Sequence, residues 1–347
     1  MIDKSENQSL LIKCQNCGSN MKYSIEKKGI LCESCRTLIG IKDENITQKR
    51  PIEEGKALDA ERKGAINENF FKCENCGADI TLSNFEISSS CPYCGSANVM
   101  QTHEIKGIKP DKVLKFEFDT NMCKKYFANY VKKRFFIPRP FKKNIPKSDI
   151  VAMYIPSFTF DAKTNSNYQG MLYRNVRDSE GHIKRQNFRV KSSMAQDFVD
   201  IVVECSSKIS QAGLSKILPF NFSQAVDYKP EYLLGFKVEK YDDAFEISVK
   251  NANQIMKTMI EQSIVKTHNA DGIVKIEINT QYSNYVYEYE ILPIYFMEYK
   301  YGKKDYLCYM NGQTGKVGGK FPISPLKVTF VSLLGVLFVL LIIILSI

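Results

Sequence analysis

Eight cysteines fall into two groups that share one spacing. Each group has two Cys-x-x-Cys pairs separated by 14 residues, and the second group follows the first by 59 positions. A Cys-x-x-Cys turn sets two sulfurs about one tetrahedral edge apart, and a second turn closes a four-sulfur metal site. The sequence therefore predicts two structural sites, each holding one Zn²⁺. Their ligands are Cys14, Cys17, Cys32 and Cys35 in the first site, and Cys73, Cys76, Cys91 and Cys94 in the second.

Other uses of these cysteine pairs fit less well. A thioredoxin-like redox pair requires a βαβ context that the segments lack, and iron is a lesser alternative to zinc. Four cysteine ligands leave no open coordination position, so we do not expect a catalytic metal. In so small a module, a zinc affinity of roughly 10–16 kcal/mol exceeds what an apolar core supplies, so metal binding and folding coincide. Glycines follow three of the pairs, at Gly18, Gly77 and Gly95, where they ease a tight turn.

The remaining chemistry-bearing residues do not form a catalytic set. Cys123, Cys205 and Cys308 stand singly in apolar contexts and are expected in the core. The three histidines lie far apart in polar stretches, and "NGQTGKVGG" does not satisfy the Walker phosphate-binding pattern. The sequence therefore predicts a protein that is not an enzyme and has no small-molecule substrate.

A basic stretch from position 121 to 148 is a candidate surface for an anionic partner. It carries nine Lys or Arg residues, no acidic residue, and six interleaved Tyr or Phe residues. This pattern suits single-stranded nucleic acid, or the anionic headgroups of a membrane, or simply the solvated face of an amphipathic helix whose aromatics are core. The candidate binding residues are Lys124, Lys125, Lys132, Lys133, Arg134, Arg139, Lys142 and Lys143.

The last twenty residues predict a membrane-spanning helix. Val328–Ile347 contains no charged residue, and a helix of this length is roughly 30 Å long, as thick as the hydrocarbon core of a bilayer. Lys316, Lys320 and Lys327 precede it, which favours a cytoplasmic location for everything N-terminal to the span. The N-terminal "MIDKSENQSL" lacks a signal-peptide layout. We therefore expect a single-pass, tail-anchored protein of the cell membrane with reduced cysteines.

Composition and patterning predict several units along the 347 residues. Hydrophobic residues make up 44% of the chain and the net charge is +10, so the chain folds around a core and suits an anionic partner. The expected units are a first zinc ribbon at 10–40, a charged linker at 41–66, a second zinc ribbon at 67–105, an α+β domain at 107–327 and a transmembrane anchor at 328–347.

Within the α+β domain, hydrophobic periodicity favours a mainly antiparallel sheet with helices on one face. Residues 118–135 predict a helix that has Asp119 or Thr120 as its N-cap and that Pro138 and Pro140 end. Residues 149–162 predict a buried strand, and "RDSEG" predicts the turn of a hairpin. "AQDFVDIVVECSSKI" predicts a helix with Phe198, Ile201, Val202 and Cys205 on one face. A second helix and three further strands are expected after residue 246.

Three features together resemble a known family. They are the paired cysteine modules, "YIPSFTFDA" at 154–162, and "ILPIYFMEYKYGKKDYLCYMNGQTGKVGGKFPIS" at 291–324. The chain resembles bacterial membrane-anchored proteins with TFIIB-type zinc ribbons, which are often labelled as relatives of the primosomal replication-restart helicase. The chain lacks the ATPase motor motifs that this label implies. It also has Ser157-Phe158-Thr159 where the family tends to have "FWL".

The resemblance implies that the protein associates with membrane proteins of the envelope stress response, such as flotillin-like or phage-shock-like proteins. Two functions are expected from these observations. The first is a non-enzymatic adaptor that docks protein partners at the cytoplasmic face of the membrane. The alternative is a nucleic-acid-binding protein without helicase activity, in which the ribbons and the basic stretch hold DNA or RNA.

Overall fold

A computed structural model describes residues 13–63, 69–73, 79–82, 99–101, 110–144, 150–206, 208–239 and 245–345. Its helices are α1 (Ile52–Lys63), α2 (Thr120–Lys132), α3 (Arg139–Asn144), α4 (Gln211–Leu214), α5 (Phe245–Thr267) and α6 (Pro325–Leu345). Its strands are β1 (Met21–Ser24), β2 (Gly29–Cys32), β3 (Leu38–Gly40), β4 (Arg50–Pro51), β5 (Asn69–Cys73), β6 (Asp79–Leu82), β7 (Val99–Gln101), β8 (Lys112–Val113), β9 (Val151–Arg177), β10 (Ile183–Glu204), β11 (Val226–Asp227), β12 (Lys237–Val238), β13 (Gly272–Tyr301), β14 (Lys304–Asn311) and β15 (Val317–Gly319).

The α+β domain is built on one nine-stranded, mainly antiparallel sheet, as the sequence predicts. Its main order is β10-β9-β13-β14-β15, and the short strands β4, β8, β11 and β12 pair at its margins. Consecutive strands joined by tight turns pair as antiparallel neighbours, which accounts for the pairs β9–β10, β13–β14 and β14–β15. The central pair β9–β13 joins strands that are far apart in the chain. The predicted hairpin is confirmed, because Ile183 pairs with Arg177 across the turn at 178–182.

The two halves of strand β9 are buried differently. Residues 153–160 are buried on both faces, whereas between 162 and 168 buried and exposed residues alternate. On one face, Phe158 packs against Phe245 of α5 with ring centroids 5.0 Å apart. A strand that is covered on both faces is apolar along its whole length, whereas a strand with one solvent-exposed face alternates apolar and polar residues. The first half of β9 is therefore the centre of the core.

The predicted helix at 195–209 is wrong, because most of that segment belongs to strand β10. The strand pairs with β9, and a β-bulge separates the pair Phe198–Ala162 from the pair Ile201–Phe160. Asp200 adopts φ +53° at this bulge. One extra residue in a strand spaces two buried side chains three positions apart, which imitates the spacing of a helix face.

Both other predicted helices are confirmed. Asp119 caps α2, since its carboxylate accepts a hydrogen bond of 2.8 Å from the Met122 backbone N–H. Helix α2 ends at Lys132, before Pro138, and Pro140 lies in the first turn of α3. Helix α5 buries one stripe against the sheet. The stripe is Phe245, Ser248, Val249, Ala252, Met256, Ile260 and Ile264.

The charged segment expected as a linker packs on the α+β domain where the structure describes it. Strand β4 pairs with β13, and the Asp227 carboxylate accepts hydrogen bonds from the backbone N–H groups of Ile46 and Thr47. The Phe245 backbone N–H donates to buried Asp59 of α1 at 3.0 Å. Polar and charged groups of this segment form hydrogen bonds with the domain and hold the segment in place. Its charged composition therefore did not indicate a mobile linker.

Two further three-stranded sheets belong to the cysteine-containing segments. The first has the order β1-β2-β3 and the second the order β6-β5-β7. The side chains of the second sheet, and with them the predicted ligands Cys73, Cys76, Cys91 and Cys94, lie outside the described residues. Lys147 of the basic stretch lies outside them as well.

Helix α6 has 21 residues and no buried residue, and an 18-residue window within it has a mean hydropathy of 3.2. It is long and apolar enough to cross a membrane. Its first residues nevertheless contact the α+β domain, and these contacts are described below.

Candidate metal centre and basic surface

The first four predicted ligands converge on one point. The sulfur atoms of Cys14, Cys17, Cys32 and Cys35 all lie within 4.8 Å of one another. The Sγ–Sγ distance is 3.3 Å between Cys14 and Cys35 and 3.5 Å between Cys17 and Cys32. Zinc–sulfur bonds of about 2.3 Å give tetrahedral edges of about 3.8 Å. The four thiols are not disulfide-bonded, and the cluster is compatible with one zinc ion.

Two similar turns position these sulfurs. The Gly18 backbone N–H donates to the Cys14 carbonyl at 2.8 Å, and the Arg36 backbone N–H donates to the Cys32 carbonyl at 2.9 Å. Gly18 has φ +72° and Arg36 has φ +64°, so both turns end on a left-handed residue. Glycine adopts this conformation freely and arginine does not. The sequence indicated the glycine in the first turn, and Arg36 fills the same place in the second.

The electrostatics of the cluster favour thiolates at three positions. Burial alone would raise the pKa of Cys14, but backbone N–H groups of Asn16 and Cys17 outweigh it and lower the pKa. Hydrogen bonds from Ser19 lower the pKa of Cys17, and hydrogen bonds from Thr37 lower that of Cys35. At Cys32, the backbone N–H of Cys35 lowers the pKa, but burial and the adjacent sulfurs outweigh it and raise the pKa to about 11. A thiolate is the form that binds metal.

The cysteine module, residues 13–40, is fixed to the α+β domain through its first strand. Tyr23 is buried, and its ring packs edge-on against Tyr232 with centroids 5.7 Å apart. The Tyr23 backbone N–H donates to the Leu234 carbonyl at 3.0 Å. Gly235 has φ +87°, and a Cβ there would lie 3.2 Å from the Lys22 side chain. This close approach holds the module against the domain.

The candidate basic residues occupy two neighbouring helices and the loop between them. Lys142 donates to the carbonyl of Lys132 at 3.1 Å, which joins α3 to the end of α2. Lys124 and Lys125 lie in the second turn of α2, about 13 Å along the helix axis from Lys133. The aromatics divide into two sets, because Phe127 and Phe141 are buried, whereas Tyr126, Phe135 and Phe136 are exposed. The basic groups at 132–143 therefore lie close together, and some of the interleaved aromatic residues belong to the core.

This loop holds the first turn of the apolar helix. The Lys327 ammonium donates to the carbonyls of Phe135 at 2.7 Å and Ile137 at 2.9 Å. The Ser324 backbone N–H donates to the Phe136 carbonyl at 2.8 Å. Desolvation and the charge of Lys327 lower the pKa of Lys142. The 132–143 stretch thus contacts the base of α6, with Lys142 near Lys327, and the contacting segments are about 190 residues apart in the chain.

A group of charged side chains, of which Glu290 is fully buried and the ion-paired members are partly buried, lies on the sheet face opposite α5. Lys49 pairs with Asp161 at 2.7 Å and with Asp200 at 2.6 Å. Glu290 accepts a hydrogen bond from the Thr159 hydroxyl at 3.1 Å, and burial, together with the nearby charge of Glu288, raises its pKa to about 8. The alternation Ser157-x-Thr159 in β9 and Glu288-x-Glu290 in β13 is a polar pattern inside apolar strands. This polar pattern could have indicated the charged group from the sequence, but the group was not among the predicted sites.

A search of known proteins finds one informative similarity. The chain is 27% identical over 325 residues to a Bacillus subtilis (strain 168) protein described as "Uncharacterized protein YdjG", with 91% of each chain covered. No family model matches the chain, and no solved structure matches it.

Proposed function

We propose that this protein is a non-enzymatic adaptor that is tethered to the membrane by α6 and docks a protein partner on its cysteine module. The observation that carries this proposal is strand β3, the outer strand of the module. All three of its residues are exposed, and Leu38 and Ile39 expose 49% and 38% of their surface. In the described part of the chain, β3 pairs with β2 alone. An unpaired edge with apolar side chains is a template for a partner strand.

Zinc supports this role by closing the module. Cys14, Cys17, Cys32 and Cys35 would hold one Zn²⁺, and the second predicted set would hold another. A four-thiolate zinc supplies structural stability and no catalytic chemistry, because no coordination position stays open. The contact of Tyr23 with the α+β domain sets the orientation of the module. It leaves strand β3 on the outer side of the module.

The membrane attachment rests on α6 and on the charges before it. Lys316, Lys320 and Lys327 precede or begin the apolar helix, and an excess of basic residues is typical of the cytoplasmic side. We propose that the module and the α+β domain lie in the cytoplasm. Flotillin-like and phage-shock-like membrane proteins are the first partners to test, on the basis of the resemblance described above.

The test is cross-linked affinity capture of the full-length protein from membranes. The L38D/I39D double variant is expected to lose the captured flotillin-like or phage-shock-like protein, because two carboxylates oppose burial in a strand-pairing interface. Ile183→Asp is the matched control, since Ile183 is an isoleucine 68% exposed on the β9–β10 hairpin. Equal recovery from L38D/I39D and wild type would refute docking at β3, and recovery of no specific protein from wild type would refute the adaptor.

The alternative proposal is a nucleic-acid-binding protein without helicase activity. Its support is the exposed Tyr126, Phe135 and Phe136 beside the basic residues of α2 and α3. This alternative predicts that the full-length protein binds single-stranded DNA with an affinity that falls steeply as salt is raised. Absence of binding at low salt would eliminate it.

A further inference from the structure

A cleft with basic walls lies between α2 and the turn that joins β14 to β15. Its volume is about 870 Å³. Among the described residues that line it, none is acidic. We call it the basic cleft, and its principal lining side chains are Tyr126, Tyr130, Lys133, Arg134, Lys216 and Lys316.

The four cations come from three separate parts of the chain. Lys133 and Arg134 follow the last turn of α2, where positive charge offsets the partial negative charge of the helix terminus. That effect does not explain Lys216, which follows α4, or Lys316, which lies in the β14–β15 turn. Within the described part of the chain, Lys133 and Lys216 form no ion pair with a carboxylate. Convergence of uncompensated cations on one cleft indicates an anionic ligand.

Glycines in the β14–β15 region allow the walls of the cleft to approach each other. A Cβ on Gly318 would lie 2.8 Å from the Lys216 Cβ, and a Cβ on Gly315 would lie 3.0 Å from the Tyr126 ring. On the other wall, the Arg134 guanidinium stacks 4.3 Å from the centre of the Tyr130 ring. The stacked guanidinium keeps its N–H groups available in a fixed plane, which suits two oxygens of one phosphate.

The position of the cleft identifies the source of the phosphate. Phe321 lines the cleft, packs on Tyr130 with ring centroids 5.3 Å apart, and precedes the first residue of α6 by four positions. Phe135 and Phe136, exposed by 56% and 42%, lie beside the first turn of α6. Aromatic and basic side chains at the base of a membrane helix lie at the level of the lipid headgroups. The nearest abundant phosphates are therefore those of the bilayer.

We propose that the basic cleft binds the phosphate headgroup of an anionic phospholipid of the phosphatidylglycerol class. The proposal rests on the proposed function only for the membrane attachment of α6. Arg134 and Lys133 contact the phosphate from one wall, and Lys216 contacts it from the other. The Phe321 ring lines the side nearest α6 and therefore nearest the acyl chains.

The test is isothermal titration calorimetry of the full-length protein in uncharged detergent micelles. The probes are the short-chain lipids dihexanoylphosphatidylglycerol and dihexanoylphosphatidylcholine, which share a phosphate and differ in net charge. We expect at least tenfold tighter binding of the anionic lipid, and we expect K133A/K216A to weaken that binding at least tenfold. K133R/K216R is expected to retain it. K191A/K275A, which removes two exposed lysines from β10 and β13, is expected to bind as wild type does.

Four outcomes would overturn the proposal. They are equal affinity for the two lipids, wild-type affinity of K133A/K216A, equal weakening in K191A/K275A, and loss of binding in K133R/K216R with an unchanged melting temperature. Glycerophosphoglycerol and a single-stranded DNA oligonucleotide are titrated in parallel. Binding of either as tightly as the anionic lipid would assign the cleft to a soluble phosphodiester or to nucleic acid instead.

Failure of the cleft and failure of the proposed function are separable in the same samples. K133A/K216A is expected to stay in the membrane fraction, because α6 is unchanged. If K133A/K216A loses lipid binding but stays fully in the membrane fraction, the loss is due to the cleft and not to the membrane attachment. Release of the wild-type protein from membranes would contradict the tethering and not the chemistry of the cleft.

Discussion

The cysteine module and the α+β domain are both built on antiparallel strands, but different forces stabilise them. Besides the cysteines, the buried apolar side chains of the described module are Met21, Tyr23 and Ile30. The domain instead contributes most members of two extensive apolar clusters, and the module's few buried residues join the first of them. Three apolar residues cannot offset the conformational entropy of about 28 ordered residues. We therefore expect the module to obtain its stability from a bound metal ion and from its contact with the domain.

The first and largest expected effect separates these two sources of stability. Removal of zinc by a chelator should unfold the module, because it withdraws a binding free energy of roughly 10–16 kcal/mol. The α+β domain should remain folded, because most members of the two apolar clusters belong to the domain, although the first cluster also includes the predicted ligands Cys14 and Cys32. Hydrogen exchange of the full-length protein is expected to lose protection at 14–40 and to keep it in β9 and α5.

The Cys123→Ser variant is a matched control for this experiment. Cys123 is a buried cysteine of α2 outside the cluster, so its substitution should leave the chelator response unchanged. Unaltered protection of 14–40 after chelation would contradict the metal-dependent module. Loss of protection throughout the chain would contradict the separation of the two regions.

The second prediction removes an aromatic side chain from the other region. Phe245 is fully buried and contacts Tyr287 with ring centroids 4.6 Å apart. Phe245→Ala should destabilise the α+β domain by about 3–5 kcal/mol, because it leaves a cavity under α5. Thermal unfolding measures the change. Metal content should stay at the wild-type value, and parallel loss of metal would show that the two regions depend on one core.

The third prediction concerns the buried carboxyl groups of the domain. Because the pKa of Glu290 is about 8 in the folded chain and its ordinary value is 4.5, the folded state binds this proton more tightly than the unfolded state. Stability from this group is present below pH 4.5 and is lost as pH rises through about 8. Each unit of pKa difference corresponds to about 1.4 kcal/mol.

Glu290→Gln tests this assignment. Glutamine stays neutral at every pH, so the variant should show a flatter dependence of the unfolding free energy between pH 5 and 8. Denaturant titrations across that range measure the slope. Glu298→Gln, an exposed position later in the same strand, should keep the wild-type slope. A wild-type slope in Glu290→Gln would show that another group titrates.

The smallest effects are expected from substitutions in the two cysteine turns of the module, which end at Gly18 and Arg36. Gly18→Ala should weaken metal retention about fivefold, since a left-handed alanine costs about 1 kcal/mol and no atom lies within 4 Å of the added Cβ. Arg36→Gly should leave retention equal or improve it, because Arg36 already occupies φ +64°. Competition with a chelator measures both, and a loss in Arg36→Gly as large as in Gly18→Ala would contradict the conformational explanation.

Local patterns accounted for most of what the sequence predicted correctly. The four-cysteine cluster depends on two turns and 14 intervening residues, and the β9–β10 hairpin depends on one turn. Both are specified by neighbours in the chain. The same holds for α2, whose cap residue Asp119 precedes its first turn. The helix expected at 195–209 failed because the bulge at Asp200 imitates helical spacing, and a single strand does not reveal its partner.

Contacts between distant segments were beyond this kind of prediction. Lys327 contacts Phe135 and Ile137, which lie about 190 residues earlier in the chain. The docking of the charged segment at 41–51 likewise depends on Asp227, more than 175 residues later. Side-chain charge alone does not distinguish a solvated linker from a segment with partners on a sheet. The sequence therefore predicted the separate candidate sites better than their arrangement.

Site-specific photo-cross-linking tests the central claim, that the metal-closed module presents β3 to a protein partner at the membrane. A photoreactive amino acid at position 39, in the full-length protein in membranes, should give one discrete adduct with a flotillin-like or phage-shock-like protein. The same amino acid at position 183 should give none, and a chelator should abolish the adduct without releasing the protein from the membrane. Identical adducts from both positions, or an adduct at position 39 that persists after zinc removal, would contradict the account.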